Sequence, residues 1–265
     1  MRYLLVHVST GLLAAIILVI SIGLSLLGLV VARRFIDVHK LKEHQDVAGF
    51  MIAVVGVIYA VLLAFVVVIV WEDFGNADTT ASNEAVAVGN LYRDAVAVGG
   101  PRGQVLELAV RRYALSVIDD DWPEVAEHQK GSGETEMQLD QVWRDVKGLD
   151  PAKGSGVQQA FVMQAVTDVS AATEARRTRI LQSSSEIPTP LWAVLIVGGI
   201  ITIGFSYLFV VERFWVNAVM VASLGALIGL SMLVILTLNL PYTGSVSVKP
   251  EAMQIELDSV SPGMF

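Results

Sequence analysis

Four long stretches of this sequence contain no Asp, Glu, Lys or Arg, and they constrain its fold more than any other feature. They cover residues 8–32, 47–71, 187–211 and 214–248. A helix rises about 1.5 Å per residue, so about 20 residues cross about 30 Å of hydrocarbon. Each stretch is long enough to do so. None shows the polar stripe that marks a helix on the surface of a soluble protein.

We therefore predict an all-α membrane protein with four transmembrane helices, at about 10–31, 47–71, 191–211 and 215–238. The composition agrees, because 54% of the 265 residues are apolar and only 17% are charged. The mean hydropathy is strongly positive, at +0.61. The apolar character is continuous, which favours helices over the alternating strands of a membrane barrel.

Between the second and third predicted spans lies a polar insert, residues 72–190. It holds 19 acidic and 11 basic residues, which accounts for the net charge of −8. An acidic domain disfavours nucleic acid as a partner. Glycine and proline divide the insert into segments with helical spacing, which predicts a helical bundle. The rest of the chain divides into a first pair of spans, residues 1–71, a second pair, 191–238, and a C-terminal tail, 239–265.

The first and last helices of the insert are expected to extend the second and third spans as two antiparallel stalks. Helical spacing predicts that the last helix buries a side formed by Val162, Val166, Val169 and Thr173. Glu84 lies about 18 Å beyond the second span, and Arg176 and Arg179 lie at a similar distance before the third. We interpret these three residues as a salt bridge that fixes the stalk register. The alternative is a basic vestibule that concentrates anions at a pore mouth.

The second span has two distinct sides. One side is a stripe of small residues at helical spacing, which lets helices pack closely in lipid. It consists of Gly49, Ala53, Gly56, Ala60 and Ala64. The other side is bulky and apolar, and Val57, Val61 and Phe65 belong to it. This side either faces lipid and other spans or forms an apolar gate around an oligomer axis.

Basic residues in short loops predict how the spans are oriented. The loop 32–46 carries four arginines and lysines, and Arg213 lies in the turn between the third and fourth spans. Both are expected on the cytoplasmic side of a bacterial inner membrane, which puts the insert outside the cytoplasm. Tryptophan favours the interface between membrane and water, and the predicted interface belt consists of Trp71, Trp192 and Trp215.

The sequence contains no pattern of catalytic or metal-binding residues. It has no cysteine, and its four histidines lack the spacing of a metal-binding pair. The acids Asp119 to Asp121 precede Pro123 and are interpreted as a helix boundary rather than as a calcium site. No predicted span contains a charged residue, which disfavours a proton-coupled pump. We predict neither an enzyme nor a cofactor nor a metal ion.

The second span, from Gly49-Phe50 through Gly56 and Tyr59 to Trp71-Glu72, resembles that of the bestrophin-like membrane proteins, a bacterial family. Further matching motifs follow in the expected order along nearly the whole chain. They are Glu84 with Leu91-Tyr92-Arg93, Tyr113, Asp121-Trp122-Pro123, Arg176 to Arg179, Ile187-Pro188, Leu191-Trp192 and Pro241-Tyr242-Thr243-Gly244. An acid often seen before the last of these motifs is Asn239 here.

The resemblance implies kinship with bestrophins, which are pentameric anion channels with a hydrophobic neck on the second span. By that analogy Val57, Val61 and Phe65 are candidates for the neck. Bestrophins keep their large helical region in the cytoplasm, whereas the basic loop here predicts the opposite side for the insert. Fold-level kinship alone does not establish function.

We expect a homo-oligomer in contact with membrane lipids that conducts small anions. The alternative is a membrane-anchored sensor or scaffold whose extracytoplasmic bundle binds a ligand or a protein. A sensor usually needs an output module in the cytoplasm. Only about 15 residues, those of loop 32–46, are expected there between the first two spans, which favours the channel.

Overall fold

The computed structural model describes residues 8–35, 45–150, 155–209 and 213–260. Most of the predicted basic loop 32–46 lies outside these ranges, as do residues 210–212 at the predicted end of the third span. Within the described ranges every regular element is helical. The prediction of an all-α protein is therefore confirmed.

Nine α-helices and one π-helical turn make up the described part of the chain. The α-helices are α1 Thr10–Phe35, α2 Gln45–Val98, α3 Gly100–Ser116, α4 Trp122–His128, α5 Gly133–Lys147, α6 Gly156–Ser183, α7 Thr189–Ser206, α8 Phe214–Leu238 and α9 Glu251–Val260. The π-helical turn, Val117–Asp121, joins α3 to α4 without an intervening loop.

Four helices are long and apolar enough to cross a membrane: α1, α2 from Gly49 onward, α7 and α8. They overlap the four predicted spans, and α2 continues well beyond residue 71. The third span is shorter than predicted, since α7 ends at Ser206 and not at residue 211. The chain tightens there, with the Tyr207 amide bonded to the Gly204 carbonyl. The Asn217 side chain then donates to the Phe209 carbonyl at 3.1 Å.

The chain divides into two compact units. The first unit runs to Asp73 and resumes at Glu186–Asn239, so it contains the four spans. The second unit comprises Phe74–Ser185 and the residues from Leu240 onward. Helix α2 contributes to both units. From the sequence we predict that residues 239–265 form a separate tail. In the structure the described residues from 240 onward belong to the same unit as the insert.

Helices α1 and α8 pack closely through two pairs of small residues. Ser21 and Ser25 of α1 lie against Gly229 and Gly225 of α8. A Cβ atom built on either glycine would overlap the opposing serine. Small residues four apart on both helices let the backbones approach, which replaces the hydrophobic driving force that is missing between helices in lipid.

Helix α7 is fixed in the first unit by two tyrosines. The Tyr59 hydroxyl of α2 donates to the Leu195 carbonyl at 3.0 Å, and its ring covers Gly198 of α7. The Tyr207 hydroxyl donates to the Ser25 carbonyl of α1 at 2.9 Å. Both hydroxyls are therefore paired with a backbone carbonyl.

The hydrophobic core of the second unit lies between α2, α3, α5 and α6. The buried face of α2 is rich in alanine and consists of Ala77, Ala81, Ala85, Val88, Leu91 and Ala95. On α6 the prediction was wrong for Val166, which is 41% exposed. The buried face of α6 follows Val162 and Val169 through Ala165 and Ala172, because spacings of three and four along this line keep one side of a helix.

Glycine, serine and proline set the ends of the helices in the second unit. Gly99 and Gly100 have φ angles of 64° and 66°, a conformation that glycine adopts without strain, and they separate α2 from α3. Ser155 and Gln158 form a capping box at the start of α6. Helix α6 ends at Ser183, five residues before Pro188.

We expect Gly225→Ala to destabilise the first unit, because the new Cβ would overlap Ser25 and lie 3.1 Å from the Ser21 carbonyl oxygen. Overpacking of this kind costs about 1–3 kcal/mol. Thermal unfolding of the purified protein in detergent should show a lower Tm. Gly23→Ala is the matched control, since no atom lies within 4 Å of a Cβ at that position. Equal Tm values for both variants would contradict the close packing.

Candidate functional site

The second unit buries a cluster of ionisable side chains on four helical elements. It consists of Glu84 on α2, Tyr113 on α3, Asp121 in the π-helical turn, and Arg176 and Arg179 on α6. Glu84, Asp121 and Arg179 are fully buried, and the other two are no more than 4% exposed. Charges buried without partners cost several kcal/mol each, so their contacts decide whether the unit is stable.

Arg179 is the centre of this cluster. Its Nε and Nη2 donate to the two carboxylate oxygens of Glu84 at 2.6 and 3.2 Å. Its Nη2 also donates to Asp121 Oδ2 at 2.6 Å. The guanidinium carbon lies 4.5 Å from the centre of the Trp122 ring. Burial lowers the pKa of Arg179, but Glu84 and Asp121 raise it above its ordinary value, so the side chain stays charged.

Arg176 has a different set of partners. Its Nε and Nη2 donate to the Asp121 carboxylate at 3.2 and 3.0 Å. Its Nη1 pairs with Glu136 of α5, and its Nη2 also reaches the Ser132 carbonyl. Glu84 is therefore held by Arg179, while Arg176 ties α6 to the π-helical turn and to α5.

Asp121 is the residue that sequence reasoning missed. It accepts hydrogen bonds from both arginines and from the Ser132 amide at 2.6 Å. Burial raises the pKa of the Asp121 carboxyl, but the charges and hydrogen bonds of Arg179 and Arg176 outweigh it, so this pKa lies below its ordinary value. Asp119 and Asp120 are exposed. The sequence did contain a signal for the importance of Asp121, because this residue belongs to the motif Asp121-Trp122-Pro123.

The remaining contacts complete the shell of the cluster. Tyr113 donates its hydroxyl to Glu84 Oε1 at 2.9 Å. Burial, together with the negative charge of Glu84, raises the pKa of Tyr113 well above its ordinary value, so it remains a donor. The Trp122 indole donates to the Val248 carbonyl at 3.1 Å, and the Tyr242 ring meets the Trp122 ring edge-on. The segment after α8 thus covers the cluster.

The geometry of this cluster is that of a closed ion-pair network. Each arginine is matched by carboxylates, which leaves little positive field to attract an anion. Arg179 Nη1 has no hydrogen-bond acceptor among the described residues, and it lies in the buried interior next to Trp122. The described residues also contain no group of three or more His, Cys, Asp or Glu side chains that could hold a metal ion. We interpret the cluster as the element that fixes the register of α2 and α6.

A second candidate site is the apolar face of α2 in the first unit. Val57, Val61 and Phe65 are 64%, 48% and 65% exposed in the chain. They lie about opposite to Tyr59 and Val66, which are buried against the rest of the unit. The proposed neck residues therefore share a face that the spans of the same chain leave open.

The small-residue stripe of α2 is also largely open. Ala53, Ala60 and Ala64 are exposed, and nothing lies within 4 Å of a Cβ built on Gly56. At Gly49 the nearest atoms belong to the Phe209 ring, at 3.7 Å. The closest helix packing within the described spans instead uses glycines of α1, α7 and α8.

The tryptophans of the predicted interface belt and Asn239 have distinct surroundings. Trp71 and Trp215 are 66% and 62% exposed, and Trp192 is half-buried. The side-chain oxygen of Asn239 accepts a hydrogen bond from the Ile187 amide at 2.9 Å. An uncharged amide oxygen is sufficient for this contact.

We expect Glu84→Arg to destabilise the protein by about 3–5 kcal/mol, because it leaves Arg179 buried beside a like charge. Adding Arg179→Glu should not restore stability, since the new carboxylate would face Asp121, which now lies 2.6 Å from Arg179. Thermal unfolding of the single and the double variant measures both changes in stability.

The partly exposed pair Arg93–Glu256, 3.0 Å apart, is the matched control for this exchange. Exposed pairs contribute about 0–1 kcal/mol, so Arg93→Glu should cost little, and adding Glu256→Arg should recover the loss. Recovery of stability in the Glu84→Arg, Arg179→Glu double variant would contradict the central role of Asp121.

Comparison with known proteins shows the family. The sequence profile of the bestrophin-like domain matches residues 19–253. The crystal structure of a mutated bacterial bestrophin homologue from Klebsiella pneumoniae matches with a TM-score of 0.65 at 11% identity, covering 93% of this chain and 99% of that chain. At this identity the match establishes a shared fold. Among curated proteins no relative is found. Because the profile spans most of the sequence, the chain belongs to the bestrophin-like family.

Proposed function

We propose that the protein is a homo-oligomeric ion channel for small anions, with the open apolar face of α2 around the pore. The observation that carries this proposal is the position of Val57, Val61 and Phe65. They are bulky and apolar, and they are exposed on the side of α2 away from the rest of its unit. Bestrophins, which this chain resembles, are anion channels with a hydrophobic neck on the corresponding span.

An oligomer gives this face a function that a single chain cannot supply. Copies of α2 arranged around an axis would bring Val57, Val61 and Phe65 together as rings, and narrow apolar rings gate ion flow by excluding water. The open small-residue stripe beside them lets neighbouring helices approach closely in lipid. Closed rotational symmetry is the usual arrangement of such assemblies. The outward surfaces of the spans would contact lipid.

The same proposal assigns no catalytic step, cofactor or nucleic acid to the protein. It places the protein in the inner membrane of a bacterium, with loop 32–46 in the cytoplasm and the insert outside. Positive charge in that loop supports the orientation. A ligand-binding sensor is the outcome if verified oligomers conduct no ions.

We expect oligomers of verified size to release chloride when reconstituted in liposomes. Val61→Ser should increase this flux several-fold, because a hydroxyl favours water in a narrow apolar ring. Val19→Ser on α1 is the matched control, since Val19 is 70% exposed but lies on another span. No chloride flux at any voltage, or an equal change in both variants, would overturn the assignment of the pore.

The orientation is testable because the chain has no cysteine. A single cysteine introduced by Lys130→Cys reports on the insert, where Lys130 is exposed. Lys42→Cys reports on the basic loop. A membrane-impermeant maleimide added to spheroplasts should label the first variant, and label the second only after lysis. The reverse pattern would place the insert in the cytoplasm, as in bestrophins.

A further inference from the structure

A pair of acidic side chains lies buried in the second unit, away from the ion-pair cluster. Asp94 of α2 is 5% exposed and Asp168 of α6 is 7% exposed. Asp94 follows Glu84 by ten residues, and Asp168 precedes Arg179 by eleven. Two antiparallel helices therefore carry an ion pair at one level and two acids about 15 Å further along.

The contacts of the two acids are incomplete for two ionised carboxylates. Helices α2 and α6 are joined at one level by the hydrogen bond from Arg179 to Glu84 and further along by the hydrogen bond from Gln158 to the Val98 carbonyl, so Asp94 and Asp168 lie between two contacts of the same antiparallel pair. Gln164 donates to Asp168 Oδ1 at 3.2 Å. Asp94 Oδ2 is buried and has no hydrogen-bond donor among the described residues. Two carboxyl groups in this arrangement can bond to each other only if one of them carries a proton.

Two arginines close to the acids in sequence or on a neighbouring helix are bonded to other partners. Arg93, next to Asp94 on α2, pairs with Glu256 of α9 at 3.0 Å. Arg102 of α3 donates to the Gly148 carbonyl.

Three charged groups of α5 and α6 are likewise bonded to other partners. Arg144 and Asp145 of α5 both bond to Gln141, and Arg176 of α6 is held by Asp121 and Glu136.

We propose that Asp94 and Asp168 form a site that binds one proton between them and so makes the stability of the second unit depend on pH. The site takes a proton and not a divalent cation, because two carboxylates and an amide provide too few oxygen ligands for calcium. In its protonated state the pair has one O–H donor, one carboxylate acceptor and a single negative charge. Loss of the proton leaves two buried negative charges on adjacent helices.

The electrostatics agree with this geometry. Burial raises the pKa of the Asp94 carboxyl from its ordinary value of 3.8, and the hydrogen bond and charge of Asp168 raise it further, to about 7. The folded protein therefore binds a proton that the unfolded chain has already released. The resulting stabilisation is complete below about pH 4 and is lost as the pH rises through about 7.

The test uses the full chain in detergent and the variant Asp94→Asn, whose amide mimics the protonated acid. The Tm of the wild type should fall relative to that of the variant as the pH rises from 5 to 8. Asp140→Asn removes an exposed carboxylate of α5, and its Tm should follow the wild type at every pH. Parallel Tm curves for the wild type and Asp94→Asn would overturn the proposal.

Infrared spectroscopy measures the proton directly and does not depend on a variant that folds. The wild type at pH 6 should show the carbonyl band of a protonated carboxylic acid, and this band should disappear with a midpoint near pH 7. Where Asp94→Asn folds, the variant should lack the band. Absence of the band in the wild type at pH 6 would overturn the proposal. A Tm at pH 8 that rises with sodium or calcium would also overturn it in favour of a cation site. Neither result bears on chloride flux, so the channel proposal is tested separately.

Discussion

A charge buried without a partner costs several kcal/mol, and this constraint shapes both units of the protein. In the first unit it excludes Asp, Glu, Lys and Arg from four long stretches of sequence. The helices are then held together by close backbone approach and by hydroxyl groups that bond to backbone carbonyls, as at Tyr59 and Tyr207. In the second unit the constraint is met by pairing, because Arg179 is fully buried but bonded to two carboxylates.

The sequence predicted the elements that depend on composition over long windows. Four spans and a helical insert follow from hydropathy and from the glycine and proline breaks, and no detail of packing was needed. The end of α7 was not predictable in this way, because the residues after Ser206 remain apolar while the backbone tightens through a bond from Tyr207 to Gly204. Hydropathy does not report such a change in backbone hydrogen bonding.

The candidate sites were predictable only where spacing along one helix pair decides the contact. Glu84 and Arg179 could be placed at one level from the helical rise alone. The role of Asp121 could not, since it depends on the π-helical turn that carries the side chain into the interior while Asp119 and Asp120 stay exposed. The contacts of Tyr242 and Val248 with Trp122 were also not predictable. Residues about 120 positions apart in the sequence leave no periodic pattern that would indicate a contact.

Asp121 and Asp94, two of the buried aspartates of the second unit, impose opposite dependences on pH. The pKa of Asp121 is held below its ordinary value by two arginines, so its contribution to stability is present near neutrality and is lost in acid. The pKa of Asp94 is raised by burial and by Asp168, so its contribution is greatest in acid and is lost as the pH approaches 7. The same pair of helices is thus fixed at one level by the ion pair of Glu84 and Arg179, and is adjustable at another level by a proton. Because the ion pair holds the register, a change in the acid pair can loosen α2 from α6 locally without separating the two helices.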